Sequence, residues 1–213
     1  MEDIVLIGFG GHAKSVIDTI ERLNQYRIVG LLEKQENAER EYRGYRVIGD
    51  DEMLEQLYAD GVKNAFVSIG YMGKSHVRNC IYDSLKQIGF TLPVIIDPSA
   101  YISVDVQLGE GTFVGKRAVI NAGVSVGKMS IINTGAILEH EVMVSDFCHI
   151  AVGSILCGQA AVEDNAFVGA GAVVIQGKHL GKESMIGAGT VVAKDISEKT
   201  LLYGNVMKKI EKE

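Results

Sequence analysis

An aliphatic residue stands at every sixth position of the chain from Ile96 to Val192, seventeen times in succession without a break. A period of six fits neither the 3.6-residue turn of an α-helix nor the two-residue alternation of a strand. It is typical of a parallel β-helix, in which each hexad supplies a short strand and a turn and three hexads close one coil. Because seventeen hexads are present, the repeat predicts between five and six stacked coils.

Two positions of each hexad are predicted to point into the prism. The aliphatic residue stacks on its equivalents in the coils above and below. The residue four places later is also inward and must be small. From Ala100 to Ala172 it is always Ala, Val, Ser, Thr or Cys. The repeat therefore predicts a narrow core of aliphatic and small residues that runs along the axis of the prism.

One position of the hexad is rich in Gly and Asn. It is the residue directly after the aliphatic one, for example Gly109 and Asn121. Because Gly and Asn tolerate a positive φ, we expect this residue to lie at the turn with a left-handed backbone. Ile175 and Lys178 depart from the pattern within one hexad, which predicts a local bulge near Gly177.

The first ninety residues carry a different pattern. A buried strand at residues 4–7 is followed by the glycine-rich turn Gly8–Ala13, an amphipathic helix to about Leu23, and a second strand at 28–32 that ends at Glu33. This strand–turn–helix–strand unit is typical of phosphate and nucleotide sites, because glycines let the backbone approach a ligand and the helix N-terminus favours an anion. Glu33 can accept hydrogen bonds from a ribose or a base.

The same region continues as a small parallel α/β sheet. Its further elements are a helix near residues 50–58, a strand at 65–69 that ends at Gly70, and a helix at 75–88. We expect a Rossmann-like domain over residues 1–92 and a β-helix over residues 93–213. A dinucleotide needs two mononucleotide halves, so a single nucleotide or nucleotide-sugar suits this domain better than a nicotinamide cofactor. A turn without a ligand is the alternative reading of the glycines.

Composition excludes several classes of function. A net charge of −6 without a basic stripe argues against nucleic acid. No apolar run approaches the ~20 residues of a membrane span. The N-terminus carries no signal-peptide pattern, and the three cysteines lack metal-ligand spacing. We therefore expect structural thiols in a reducing cytoplasm, with no metal.

The most informative histidine is His140. It lies between Glu139 and Glu141 at the third position of its hexad, where side chains point outward. An adjoining carboxylate would hold its tautomer and raise its basicity, as a general base requires. An ordinary surface histidine beside two acids is the alternative. His149 lies half a coil further along and faces the opposite side, so the two can share a site only between subunits of a symmetric oligomer.

The unbroken hexads, the turn from Gly8 to His12 and the run from Leu138 to Glu141 together resemble bacterial sugar O-/N-acyltransferases of the PglD/NeuD type. The resemblance covers nearly the whole chain. It implies a left-handed β-helix, a cytoplasmic homotrimer with active sites between subunits, and acetyl transfer from acetyl-CoA in cell-surface glycan biosynthesis. In the PglD branch the acceptor is the 4-amino group of a UDP-linked amino-sugar. In the NeuD branch it is a hydroxyl of sialic acid.

Carried over residue by residue, the resemblance implies three groups of site residues. His140 would be the general base, and Glu141 would tune it. The residues implied to contact acetyl-CoA are His149, Ala170 and Ala188. The residues implied to hold the nucleotide-sugar are Gly10, Gly11, His12, Glu33, Lys34, Gly70 and Asn133.

Several alternatives stay open at this point. Acetylation of an amino group is the first interpretation, and O-acetylation of sialic acid or another sugar is the second. A non-catalytic β-helix scaffold is an alternative from another class, and longer acyl donors are not excluded. A covalent acyl-enzyme on Cys148 or Cys157 is the rival mechanism to direct attack.

Overall fold

The structure is a computed structural model that describes residues 1–34, 41–72 and 76–204. Within these ranges an α/β domain is followed by a left-handed parallel β-helix. Both parts of the predicted fold class are thus confirmed. The dividing point between residues 92 and 93 stays a prediction.

The α/β domain contains a five-stranded sheet with strand order β3-β4-β2-β1-β5. Its elements are β1 Glu2–Ile7, α1 Gly11–Leu23, β2 Tyr26–Leu32, β3 Glu41–Tyr42, β4 Tyr45–Gly49, a 3₁₀ turn Asp51–Met53, α2 Leu54–Ala59, β5 Asn64–Val67 and α3 Val77–Ile88. Three of the strand pairs are parallel, as predicted. The edge pair β3–β4 is an antiparallel hairpin, which the sequence did not predict.

Helices cover both faces of this sheet. Along β1, Ile4 and Leu6 pack with α1, whereas Val5 and Ile7 pack with α3. Burial on both faces explains why β1 is a continuous apolar run and does not alternate with polar residues. The helix α1 ends at Asn24, whose φ of 53° places it in the left-handed conformation common after helices.

The β-helix consists of two-residue strands joined by tight corners. They are β6 Ile95–Ile96, β7 Tyr101–Ile102, β8 Gln107–Leu108, β9 Phe113–Val114, β10 Val119–Ile120, β11 Ser125–Val126, β12 Ile131–Ile132, β13 Ile137–Leu138, β14 Met143–Val144, β15 His149–Ile150, β16 Ile155–Leu156, β17 Ala161–Val162, β18 Phe167–Val168, β19 Val173–Val174, β20 His179–Leu180, β21 Met185–Ile186, β22 Val191–Val192 and β23 Leu201–Leu202. We name its three parallel sheets face A (β7-β10-β13-β16-β19-β22), face B (β8-β11-β14-β17-β20) and face C (β6-β9-β12-β15-β18-β21-β23).

Both inward positions of the hexad are as predicted. The aliphatic residues from Val114 to Val192 are all buried, and the small residues from Ala118 to Ala172 share their cluster or line it as buried polar groups. The narrow core of the prism is therefore a direct consequence of the six-residue period.

The predicted location of the positive φ angles was wrong. They occur three residues after the aliphatic position, at every sixth residue. The residues are Gly111, Arg117, Gly123, Met129, Gly135, Glu141, Phe147, Gly153, Gln159, Asn165, Gly171, Gly177, Glu183 and Gly189. The glycines directly after the aliphatic residue are needed for a different reason, which is space. A Cβ on Gly109 would lie 2.4 Å from the backbone nitrogen of Lys128 in the next coil.

The predicted bulge near Gly177 was also wrong. Strand β20 pairs with β17 without a register shift. The φ of Gly177, 65°, matches that of the equivalent residues in other hexads. The backbone carbonyl of Lys178 accepts a regular coil-to-coil hydrogen bond from Ala161 at 2.9 Å. The repeat therefore tolerates a longer side chain at its small position without changing its backbone.

The two domains share a packed interface. Phe113 and Ile131, which point outward from face C, join the core on the α1 side of the sheet. Met129 and Phe147 join the core on the α3 side. The α/β domain therefore sits on the first coils of face C and leaves faces A and B uncovered by it.

Candidate active site

His140 lies at the corner that follows strand β13, between faces A and B. Half of its side chain is exposed, and its Nδ1 lies 3.4 Å from Oε2 of Glu141. A carboxylate only accepts hydrogen bonds, so this contact requires the hydrogen on Nδ1 and leaves Nε2 as the basic nitrogen. The corner thus presents an accessible imidazole beside a carboxylate, which is the arrangement of a general base.

Two residues from the next coil surround this pair, and sequence reasoning missed both. The amide Nε2 of Gln159 donates to Oε2 of Glu141 at 3.0 Å. A Cβ on Gly158 would lie 2.4 Å from Nε2 of His140, so only glycine leaves room for the ring. Their position eighteen residues after the pair was the signal that could have revealed them.

Face A, next to His140, carries an apolar stripe on its outer side. The outward residues stand in register on consecutive coils: Tyr101, Val119, Ile137, Ile155, Val173 and Val191. All are at least partly exposed, Tyr101 and Val191 by more than half. Face B is more polar, because its outward row is Gln107, Ser125, Met143, Ala161 and His179. A continuous exposed apolar row of this kind is typical of an interaction surface.

Ala170 and Ala188 lie on the opposite edge of face A from His140. They follow strands β18 and β21 at the corner between faces C and A, where both are exposed. Consecutive coils bring them together: the residue after Ala188, Gly189, donates its backbone N–H to the carbonyl of Ala170 at 2.8 Å. Within one chain, face A separates these alanines from His140.

His149 lies on face C, beneath the loop that follows β5. Its Nδ1 donates to the backbone carbonyl of Tyr71 at 2.6 Å, and its Nε2 accepts from the side-chain amide of Asn133 at 3.1 Å. Burial lowers the pKa of His149 to about 4, so the ring is neutral at pH 7. The structure therefore brings together His149 and Asn133 but keeps both apart from His140.

His12 lies in the first turn of helix α1 and turns its ring toward the β-helix. The ring meets Phe113 edge to face, with centroids 5.0 Å apart. Burial lowers the pKa of His12 to about 3, and its Nε2 has no hydrogen-bond partner among the described residues. In this arrangement the ring anchors the glycine turn to the second domain.

Three cavities follow one another at the carboxyl ends of β1, β2 and β5, where open α/β sheets bind ligands. Gly10 and Gly11 line the first, of about 430 Å³, together with Lys14. Glu33 and Lys34 line the second, of about 260 Å³. Gly70 lines the third, of about 590 Å³. All of the glycine-turn and strand-end residues that the sequence indicated, except His12, thus border one of these cavities.

Glu33 already has two partners in this structure. Its carboxylate accepts the backbone N–H of Phe9 at 2.9 Å and that of Lys34 at 3.0 Å. It therefore fixes the glycine turn to the end of β2. The other carboxylates around the second cavity come from Asp50, Asp51 and Glu52, and that of Asp50 accepts the backbone N–H of Glu52 at 3.1 Å. Burial raises the pKa of Asp51, with the neighbouring Asp50 and Glu33 as further causes.

Arg78 on α3 is a buried charge that the sequence did not reveal. It borders the third cavity and is only 3% exposed. Its Nη2 donates to the backbone carbonyl of Met129, while Nε and Nη1 have no partner among the described residues. Burial lowers its pKa to about 10. An amphipathic helix pattern gives no sign that one of its arginines faces inward.

No described helix is long and apolar enough to cross a membrane. In the same residues, no group of three His, Cys, Asp or Glu side chains could hold a metal ion. Cys148 is buried, and burial raises the pKa of its thiol to about 12, which opposes formation of the nucleophilic thiolate.

Comparisons with known proteins agree with this architecture. Residues 3–85 match the family described as the PglD N-terminal domain, and residues 105–139 and 159–194 match the hexapeptide repeat of succinyl-transferase. A comparison with curated proteins found no match.

Several solved structures are similar over almost the whole chain. The acetyltransferase domain of PglB from Neisseria gonorrhoeae FA1090 is 29% identical, with 99% of this chain and 100% of that chain covered and a TM-score of 0.89. A histidine-to-alanine variant of GDP-perosamine N-acetyl transferase from Caulobacter crescentus, in complex with CoA and GDP-perosamine, is 32% identical, with 100% and 98% covered and a TM-score of 0.79. WeeI from Acinetobacter baumannii AYE, 19% identical with 97% and 98% covered and a TM-score of 0.76, shares the fold. The chain belongs to the sugar acyltransferases of the PglD/NeuD type.

Proposed function

We propose that this protein transfers the acetyl group of acetyl-CoA to the amino group of a nucleotide-linked amino-sugar, with His140 as the general base. The observation that carries the proposal is the exposed His140–Glu141 pair, whose Nε2 is available at the edge of an apolar face. The similar Caulobacter crescentus protein was solved with CoA and GDP-perosamine, and the similar PglB domain with acetyl coenzyme A.

The chemistry needs one general base and no covalent bond between the acetyl group and the enzyme. The acceptor nitrogen attacks the thioester carbon while Nε2 of His140 takes its proton. The tetrahedral oxyanion then collapses and expels the CoA thiolate, which the protonated imidazole can reprotonate. The products are an acetamido-sugar and CoA. The Cys148 thiol is poorly suited to the rival acyl-enzyme route, because it is buried and its pKa is raised.

Face A supports a homotrimer with active sites between subunits. Its apolar stripe lies on the outside of the single chain, where contact with another copy would remove it from water. His140 and the two alanines Ala170 and Ala188 flank this face on opposite edges. A copy packed against face A can therefore place its alanine edge beside the His140 edge of its neighbour, and acetyl-CoA would lie between them.

The α/β domain supplies the acceptor site in this proposal. The helix N-terminus at Gly10 and Gly11, with Lys14 beside it, suits the diphosphate. The second cavity combines apolar walls with carboxylates and suits a base that presents N–H donors. The sugar would lie toward His12 and Asn133 and meet His140 of another subunit, while His149 would face the thioester end of acetyl-CoA. We place this reaction in the cytoplasm.

The identity of the nucleotide is decided by comparing UDP-linked with GDP-linked acceptors. The UDP-linked acceptor expected from the sequence stays a prediction, and the similarity to a GDP-perosamine enzyme brings GDP into the same test. Guanine presents two adjacent donors where uracil presents one, so the carboxylates of Asp51 and Glu52 beside the second cavity favour a GDP-linked acceptor. We therefore extend the proposal to GDP-linked amino-sugars.

The test is CoA release from acetyl-CoA with a panel of acceptors. The panel contains GDP-, UDP- and dTDP-linked 4-amino-sugars, free sialic acid and CMP-linked sialic acid. His140→Ala should lose about 10²–10⁴-fold in kcat, the usual contribution of a general base. His179→Ala is the matched control, because His179 forms the same kind of pair with Glu163, at 3.0 Å, on face B. Turnover only on sialic acid would move the protein to the O-acetyl branch, and turnover that survives His140→Ala would refute the proposed base.

A further inference from the structure

A short column of side chains runs past the His140 corner, parallel to the axis of the prism. It consists of the left-handed residue of four consecutive coils, Gly123, Glu141, Gln159 and Gly177. The φ angles of Glu141 and Gln159 are 58° and 61°, a backbone conformation that residues other than Gly, Asn and Asp rarely adopt. Only these two members carry side chains, and the two bond to each other.

The bond between them has a fixed direction. A carboxylate offers only acceptors, so the NH₂ group of Gln159 must face Glu141. It donates to Oε2 at 3.0 Å, the same oxygen that faces Nδ1 of His140 at 3.4 Å. The backbone is fixed as well, since the N–H of Gln159 donates to the carbonyl of His140 at 2.9 Å. One residue of the next coil therefore holds both members of the pair.

We infer that Gln159 is a positioning residue for acetyl transfer, an inference that rests on the proposed role of His140. Gln159 holds Oε2 of Glu141 toward Nδ1, so that the hydrogen of the neutral imidazole resides on Nδ1 and the lone pair on Nε2. Gly158, the residue before it, leaves the space in which Nε2 lies, because any Cβ there would come within 2.4 Å. The pair Gly158-Gln159 thus selects both the tautomer and the orientation of the base.

The kinetic test uses Gln159→Met, which keeps the length of the side chain and removes the donor. We expect kcat to fall about tenfold, the factor that corresponds to loss of one hydrogen bond to a charged group, with KM for acetyl-CoA unchanged within about twofold. In a Glu141→Ala background, which has no acceptor at this position, the same substitution should have no further effect, because Gln159 acts through Glu141. The control is Gln107→Met, the same substitution at an exposed outward position of face B.

The second measurement needs no substrate. Long-range ¹H–¹⁵N spectra of histidine-labelled protein above pH 8, assigned with His140→Ala, report which ring nitrogen carries the hydrogen. Wild type should show Nδ1–H for His140, and Gln159→Met should shift the ring toward Nε2–H. Three results would overturn the inference. Gln159→Met could keep the wild-type kcat, it could keep the wild-type tautomer of His140, or it could still lower kcat tenfold in the variant that lacks Glu141. If wild-type protein turns over no acceptor, the proposed function fails, whereas the tautomer still decides whether Gln159 sets the ring.

Discussion

The corner that carries His140 and the cleft of the α/β domain are built in different ways. At the corner, the contacts join neighbours within one hexad, such as His140 and Glu141, or residues of adjacent coils, such as Gln159 and Glu141. In the cleft, loops after three strands meet residues far away in the chain, such as Tyr71 and His149, seventy-eight positions apart. A periodic scaffold fixes a small reactive group with little room for variation, whereas loops can change the shape of an acceptor pocket. We therefore expect substitutions at the corner to affect kcat and those in the cleft to affect acceptor affinity.

The two histidines show the same difference in chemical terms. His140 is half exposed and faces a carboxylate. His149 is buried, has both ring nitrogens bonded, and has its pKa lowered to about 4. A base must give and take protons during turnover, and only His140 is free to do so. His149 is suited to hold the Tyr71 loop and to present a fixed neutral ring.

The largest effect should come from a charge on face A. Ile155→Asp places a carboxylate in the apolar stripe, where subunit contact would bury it without a partner at a cost of several kcal/mol. In the proposed trimer a single chain holds only part of each site, so we expect the assembly to dissociate and activity to fall below detection. Light scattering and CoA release measure the two results. Ala161→Asp on face B is the control. A trimer that survives Ile155→Asp would remove face A as the interface.

A smaller but more local effect is expected for Gly158→Ala. The φ of Gly158 lies outside the left-handed region, so the backbone accepts alanine, but the new methyl group would lie 2.4 Å from the present position of Nε2 of His140 and would force the ring to move. Displacement of a base by about 1 Å costs on the order of 10²-fold in kcat. Gly30→Ala is the control, because the atoms nearest to its methyl group all belong to the side chain of Ile48, away from His140. Equal kcat losses in the two variants would show that the effect is only structural.

The sequence predicted the corner better than the cleft, and the period explains why. A hexad position determines whether a side chain points in or out, so the outward location of His140 and the burial of Cys148 followed from counting. Because one coil is about eighteen residues, adding eighteen to the number of Glu141 would also have predicted its contact with Gln159. No period relates Tyr71 or Arg78 to the β-helix. Their burial depends on how the α/β domain packs on face C, a tertiary arrangement that local patterns do not encode.

The third effect, smaller than the two above, is that acid should destabilise the interface between the two domains. The pKa values of His12 and His149 are lowered to about 3 and about 4, so both remain neutral in the folded state while the unfolded chain takes up protons below pH 6.5. Their contribution to stability is present above pH 6.5 and is lost as the pH falls toward 4. Between pH 7 and pH 5 each should cost about 2 kcal/mol of unfolding free energy. Urea denaturation at a series of pH values measures it. His12→Phe should remove the part of this loss that His12 contributes. If the unfolding free energy of this variant depended on pH as strongly as that of the wild type, the buried neutral ring of His12 would be contradicted.

The smallest effect, Tyr71→Phe, tests whether the cleft depends on the β-helix for its shape. The hydroxyl of Tyr71 donates to the backbone carbonyl of Asn165 at 2.6 Å, and its own carbonyl accepts from His149. Loss of the hydroxyl removes one neutral hydrogen bond, which is worth about 1 kcal/mol of unfolding free energy. Since the loop borders the third cavity and not the His140 corner, KM for the acceptor should rise a few-fold while KM for acetyl-CoA and kcat stay constant. A fall in kcat with unchanged acceptor KM would mean that the Tyr71 loop acts on the chemistry directly. The expectation that the His140 corner determines kcat and the cleft determines acceptor affinity would then be wrong.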